Sequence, residues 1–272
     1  MTNPLEIAIV GKGKVGQSLA HLLSLTHHRT RLLGRSINDQ RAAVRRADIT
    51  LITTQDNSIE TVCNELADSF KIGSIVAHCS GALSSSSLLS AQKRNCKLAS
   101  IHPLNSFPNL SSSLKTFLNT EHQTYLYAEG DRQALDRLLP LTRELGFHCI
   151  ELDDDAKTNY HAACVFACNY LTALMDISLN TAESAGLDRD QFWCAIQPLI
   201  QTTLSNISEH GTVSSLSGPI ARGDHQTINK HLAALDKNQQ PYKQFGLYAL
   251  QMAIQQGELS QQEIDKIKAL LV

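Results

Sequence analysis

Between residues 6 and 151, short apolar runs alternate with stretches whose apolar residues recur every three or four positions. The runs 6–10, 30–33, 49–53, 74–78, 98–101, 123–127 and 148–151 have the length and composition of buried strands. Between them, Leu19, Leu22 and Leu23 share one helical face, Ile59, Val62, Cys63 and Leu66 a second, and Leu135, Leu138, Leu139 and Leu145 a third. Strand and helix in strict alternation predict a mostly parallel sheet covered on both sides, a doubly wound α/β domain. After Leu152 the strand signal stops. The pattern then predicts helices over 155–185, 188–208, 224–236, 241–256 and 260–271. Gly186 reads as the C-cap of the first, Pro198 interrupts the second, and Ser260-Gln261-Gln262-Glu263 opens the last as a capping box. The expected division is a sheet domain at 1–152 and an all-helical domain at 153–272, with Asp153-Asp154-Asp155 capping the long helix. The serine tract 111–113 reads as loop or helix start.

Composition narrows the class. The chain has 272 residues, 42% hydrophobic and 18% charged, which suits packed domains. A formal net charge of −2 supplies no basic field to draw nucleic acid or an anionic membrane. The apolar stretch from His161 to Met175 reads as too short to span a bilayer. Seven cysteines without a Cys-x-x-Cys pair fit reduced thiols better than a disulfide scaffold or zinc module, and no metal is expected. The start Met1-Thr2-Asn3-Pro4 shows no secretory signal, so a cytoplasmic protein is expected.

The strongest motif is Gly11-Lys12-Gly13-Lys14-Val15-Gly16, which closes the first strand and opens the first helix. The first glycine permits a tight turn, the second lets backbone approach a pyrophosphate, and the third lets helix pack on strand. Backbone N–H groups and the helix dipole then face the phosphates. The second strand ends in Leu33-Gly34-Arg35-Ser36, where NAD-binding chains place an acidic residue. A guanidinium and a hydroxyl suit a 2′-phosphate, so NADP(H) is the expected cofactor. Thr54, Gln55 and Asp56 after the third strand, with Ser80 and Gly81 after the fourth, are expected to ring it.

These features resemble those of bacterial proteins that join a Rossmann-like NADP-binding domain to a helical C-terminal domain of unassigned function. That group is similar in turn to β-hydroxyacid dehydrogenases, pyrroline-carboxylate reductases, prephenate dehydrogenases and deazaflavin-dependent NADP reductases. The markers are the glycine motif, His78-Cys79-Ser80-Gly81, Ile101-His102-Pro103-Leu104-Asn105-Ser106-Phe107, Tyr160-His161-Ala162-Ala163-Cys164 with Asn169, and the run from Gly218-Pro219 to Asp224. The resemblance spans essentially the whole chain and implies hydride transfer with a small carbonyl, hydroxyacid or imine in an interdomain cleft.

In β-hydroxyacid dehydrogenases the helix after the sheet domain carries a catalytic Lys and, four residues on, an Asn that holds substrate. Lys157 and His161 stand at that spacing, with Cys164 and Cys168 continuing the stripe. Asp153-Asp154-Asp155 replaces the usual glycine-rich lead-in and His161 replaces the Asn. Lys157 is then either a carbonyl-orienting group or a solvated first-turn lysine, and His161 either an acid–base group or a satisfied core histidine. Asn169 lies about 80° around an ideal helix from His161, flanking the substrate. His102-Pro103 resembles the His-Pro of prephenate dehydrogenases and binds substrate or serves as a turn. A sensor that binds NADP(H) without turning it over is the alternative to an enzyme. The helical domain suggests a homodimer.

Overall fold

The computed structural model describes residues 3–105, 124–235 and 237–272; the serine tract 111–113 and the pair Ser106-Phe107 lie outside them. Seven strands form one sheet in the order β2-β1-β3-β4-β5-β6-β7. They are β1 (Glu6–Val10), β2 (Arg29–Leu33), β3 (Ile49–Ile52), β4 (Ile75–His78), β5 (Lys97–Pro103), β6 (Thr124–Gly130) and β7 (Phe147–Glu151). All seven expected strands are present. β1 to β5 run parallel, β6 pairs antiparallel to β5, and β7 is parallel to β6. This is a Rossmann-type sheet with a reversed edge, and its order changes direction at β1, between β2 and β3.

The two-residue period of the strands divides the core. Ile7 and Ile9 face one side, where Leu19, Leu22 and Leu23 of α1 (Lys14–Ser24) and Leu135 and Leu138 of α4 (Arg132–Glu144) pack on them. Ala8 and Val10 face the other, against Val44 of α2 (Ile37–Val44), Ile59 and Leu66 of α3 (Asp56–Leu66), and Phe70. β4 connects to β5 through 3₁₀ turns over Ser85–Arg94.

The chain groups into two compact units, Met1–Val165 and Phe166–Val272. The division falls later than the expected 152/153 boundary, because the first turns of the long helix are bonded to the sheet. That helix also differs from expectation in form. It runs as α5 (Lys157–Cys164), a π-helical stretch over Val165–Tyr170, and α6 (Leu171–Ser184). A 3₁₀ turn spans Asp154–Ala156, and the N-cap position of α5 is Ala156, which has no side-chain bond. The 28-residue helix Lys157–Ser184 contains an 18-residue window of mean hydropathy 1.5, long and apolar enough to cross a membrane by length and composition alone. The apolar stretch from His161 to Met175 is only part of that helix. Its first turn carries Lys157, however, which is bonded into the sheet unit.

In the second unit follow α7 (Arg189–Ser215), α8 (His225–Ala234), α9 (Gln239–Gln256) and α10 (Gln261–Leu271). Asp224 caps α8 through the Thr227 N–H and hydroxyl at 3.0 and 2.7 Å, and Ser260 with Glu263 forms the expected capping box on α10. Ile228, Leu232, Leu250, Ile267 and Leu271 form the core of this unit. α7 passes through Pro198, breaks at Gly211 (φ 77°) and buries no residue.

Candidate functional site

The glycine motif sits where β1 meets α1. Gly11 has φ +127°, and a Cβ there would stand 2.8 Å from the Thr53 carbonyl carbon. A Cβ on Gly16 would run into the Gly11 carbonyl oxygen and stand 2.6 Å from Thr53 Oγ1. Thr53 Oγ1 donates to that same Gly11 carbonyl at 3.0 Å, so the turn is braced from β3. Gly13, by contrast, has nothing nearer than 3.8 Å, and its outer face is open. Gly13 is also the N-cap of α1 with no side-chain bond, which leaves the first-turn N–H groups to be met by something else.

A cavity of about 1010 Å³ opens over this turn. Of the expected cofactor residues, Gly11, Lys12, Gly13, Lys14, Val15, Arg35, Thr54 and Gln55 line it. Gly16 lies buried beneath. Gly34 and Thr53, which stand in the expected segments, also line it, as do Gln40, Ser58 and Glu65, which gave no prior signal. Lys12 reaches across to Gly34, where a Cβ would stand 3.8 Å from its Nζ. Two cations, Lys12 and Arg35, thus line the cavity by the end of β2. Ser36 is the N-cap of α2, accepting from Asp39 N–H at 3.4 Å. Thr54 Oγ1 is buried in this wall without a hydrogen-bond partner. An unpaired buried hydroxyl is costly, and a polar ligand in the cavity would relieve it. An open glycine, free helix N–H groups, paired cations and an orphan hydroxyl fit a phosphorylated dinucleotide.

Asp56, Ser80 and Gly81 are used differently. Ser80 Oγ donates to Asp56 Oδ2 at 2.7 Å and accepts from Ala82 N–H and Leu83 N–H at 3.1 and 3.0 Å. Both groups thus shape the loop after β4. His78 completes that loop from within the core. Its Nδ1 accepts from Ser80 N–H at 3.1 Å, so its Nε2 carries the proton and donates to the Ser84 carbonyl at 3.0 Å. Burial pushes its pKa down to about 4, with the Lys157 charge adding to the shift and the Ser84 bond opposing it.

Lys157 is not a solvated first-turn lysine. It is 3% exposed, donates to Ser100 Oγ on β5 and lies 3.4 Å from Glu129 Oε1 on β6, itself 3% exposed. Glu129 also accepts from the Ser85 N–H and hydroxyl, both at 2.8 Å. Sequence reading missed Glu129; its one trace is a charged residue inside an otherwise apolar strand. The pair binds β5, β6, α5 and the loop after β4 together.

Above this pair stand two imidazoles. A Cβ on Gly81 would lie 2.6 Å from His161 Nδ1 and 3.0 Å from His102 Nε2. The two rings are 6.1 Å apart and nearly perpendicular. His161 Nδ1 is buried and unpartnered, so it is not a satisfied core histidine. His102 Nδ1 is 2.8 Å from the hydroxyl of Tyr160, a residue quoted above only within a motif. Burial holds the His102 pKa down at about 4, with His161 and Lys157 adding to the shift. Asn169 falls in the π-helical stretch, in the second unit, and is exposed. The offset of about 80° assumed an unbroken α-helix, so it does not hold.

Among the described residues, His27, His28 and Glu144 form one compact group of potential metal donors, within 4.8 Å of one another. His28 Nδ1 accepts from Leu5 N–H at 3.1 Å, which puts its proton on Nε2, facing Glu144 Oε2 at 3.4 Å. That nitrogen is a donor to the carboxylate, and the group closes on itself.

Residues 124–249 match the model of a family described as a domain of unknown function (DUF2520). No curated protein matches the chain. A solved Thermotoga maritima protein is 25% identical, with TM-score 0.70 over 93% of this chain and 100% of its own. Plasmodium falciparum pyrroline carboxylate reductase, solved with NADP bound, is 14% identical, with TM-score 0.56 over 98% of both chains. The reductive aminase of Aspergillus terreus, solved with NADPH and ethyl-5-oxohexanoate, is 12% identical, with TM-score 0.62 over 99% of this chain and 93% of its own. The fold is that of a Rossmann-type sheet followed by a helical region.

Removing the cation of the buried ion pair leaves the Glu129 carboxylate uncompensated. Lys157→Met is expected to lower stability by about 3–5 kcal/mol, and the double variant Lys157→Met/Glu129→Gln by clearly less. Urea unfolding of both variants measures the difference; equal losses would remove the pair from this role.

Proposed function

We propose that this chain is an NADP(H)-dependent oxidoreductase that moves a hydride to or from a small carbonyl, hydroxyacid or imine substrate. The observation that carries the reading is the unpartnered His161 Nδ1, which converges with His102 Nε2 over the bare face of Gly81. Buried imidazole nitrogens without partners are rare unless a ligand completes them.

The cavity at the glycine turn fits the cofactor. Gly11, Gly13 and the first N–H groups of α1 would hold the pyrophosphate, and Lys12 with Arg35 the 2′-phosphate. Bound there, NADPH supplies the hydride. His161 gives or takes the proton at the substrate heteroatom, His102 orients that atom, and Lys157 with Glu129 holds the helix that carries His161. All seven cysteines are free thiols, which fits a reducing compartment such as the cytosol.

The helical unit supports a homodimer. Phe166, Tyr170, Leu199, Leu204, Phe245 and Tyr248 are each at least half exposed, and α7 buries nothing. Apolar side chains left exposed in this number on a helical unit are covered most simply by its twin.

Three outcomes are expected. Arg35→Ala weakens NADPH binding about 10–100-fold while leaving NADH nearly unchanged, since one charge-assisted contact is worth about 1.5–3 kcal/mol; fluorescence titration reads both, and tighter NADH binding by the native chain would refute the cofactor choice. His161→Ala cuts turnover by about 100-fold or more with NADPH affinity retained. Binding of NADPH with no turnover of any hydroxyacid, ketone, aldehyde or cyclic imine would instead indicate a sensor. Sedimentation of the native chain gives a dimer, and Leu199→Glu/Leu204→Glu shifts it to monomer; a monomeric native chain contradicts this.

A further inference from the structure

Tyr160 has no place in the roles assigned above, yet it is built into the site. Its ring packs on Tyr127 with centroids 4.3 Å apart, and its hydroxyl lies 2.8 Å from His102 Nδ1. Burial pushes its pKa up, and Cys164, one turn further along α5, adds to the shift, so the phenol keeps its proton. An imidazole nitrogen is a far better acceptor than a thiol sulfur. The phenol O–H therefore donates to His102 Nδ1, and Cys164 remains a weak secondary partner. A neutral imidazole that accepts on Nδ1 carries its hydrogen on Nε2. That is the nitrogen 3.0 Å from where a Gly81 Cβ would stand, with His161 Nδ1 2.6 Å from the same point.

We infer that Tyr160 is a positioning residue that fixes His102 as a neutral Nε2–H donor, and that the site so formed takes a substrate oxygen: the carbonyl of an aldehyde or ketone, or the hydroxyl of the matching alcohol. The oxygen assignment rests on the oxidoreductase reading; the tautomer does not.

The two nitrogens suit oxygen for a chemical reason. A carbonyl oxygen has two lone pairs and gains negative charge as a hydride reaches its carbon, so it draws closer to a fixed donor as the reaction proceeds. A protonated imine nitrogen has no lone pair and would leave His102 Nε2–H without an acceptor. In the reducing direction the hydride pair forms the new C–H bond and the C=O π pair moves onto oxygen. The imidazolium form of His161 then releases its Nδ1 proton to that oxygen and is reprotonated from solvent. The carbonyl is reduced to the alcohol and NADPH is oxidised to NADP⁺. Its low pKa keeps the His102 ring from charging at neutral pH, so its donor role is constant there.

The tautomer is read by ¹⁵N imidazole spectra of the full chain, with the His102 signals identified by their loss in His102→Gln. The expected result is a protonated Nε2 and a bare Nδ1 from about pH 6 to 8. Tyr160→Phe, which keeps the ring packing, is expected to give a mixture of tautomers. A protonated Nδ1 in the native chain, or an unchanged spectrum in Tyr160→Phe, overturns the positioning role. With NADPH and matched panels of aldehydes, ketones and cyclic imines, turnover is expected on the carbonyls, with kcat falling about 10–100-fold in Tyr160→Phe and KM little changed. Turnover of imines alone overturns the oxygen assignment. No turnover on either panel, beside the expected tautomer, overturns the oxidoreductase reading together with the oxygen assignment and leaves the role of Tyr160 standing.

Discussion

The buried contact between Lys157 and Glu129 is the constraint on which the candidate site depends. Ion pairs of this kind contribute little net stability when compared with apolar replacements, because both charges must leave water. Their value lies in register: an ammonium bonded to a buried carboxylate cannot slide by a residue without breaking that bond. Here the carboxylate also ties down Ser85 and the ammonium holds Ser100, so a helix, two strands and a loop share one arrangement. His161 is carried by the next turn of that helix, and Gly81 by that loop.

Two centres thus occupy the sheet unit, and they are made by different means. The cavity at the glycine turn is made by the absence of side chains, at Gly11, Gly13 and Gly16, with Lys12, Lys14 and Arg35 added to its lining. The imidazole pair is made by excess, with several polar groups packed in apolar surroundings and nearly all of them paired. Such networks are costly when incomplete. Of the six buried side-chain atoms without a partner among the described residues, Thr54 Oγ1 and His161 Nδ1 belong to these centres. One marks the wall of each centre.

Much of the sheet unit was legible in the sequence because hydrophobic period reports burial directly. Seven strands and three of the helices between them follow from which residues must leave water, and the glycine turn from the spacing of Gly11, Gly13 and Gly16. Strand direction does not, and the reversal of β6 could not be read from its alternation. Spacing placed Lys157 and His161 on one helical face but said nothing of what lies opposite, so the lysine that pairs with Glu129 looked like a surface or substrate group. Tyr160 stood next to His161 in the chain while acting through His102, a partner 58 positions away. The π-helical stretch was hidden because nothing in the composition of 165–170 distinguishes a π turn from an α turn, and with it went the expected placement of Asn169.

The turn at Gly11 also binds three positions into a single steric unit. Gly11, Gly16 and Thr53 each occupy the space that bulk at either of the others would need, and the Thr53 hydroxyl closes the arrangement with a bond to the Gly11 carbonyl. The atoms that block a side chain at Gly11 or Gly16 are mainly backbone, which no substitution elsewhere removes, so related chains that keep this turn should keep both glycines.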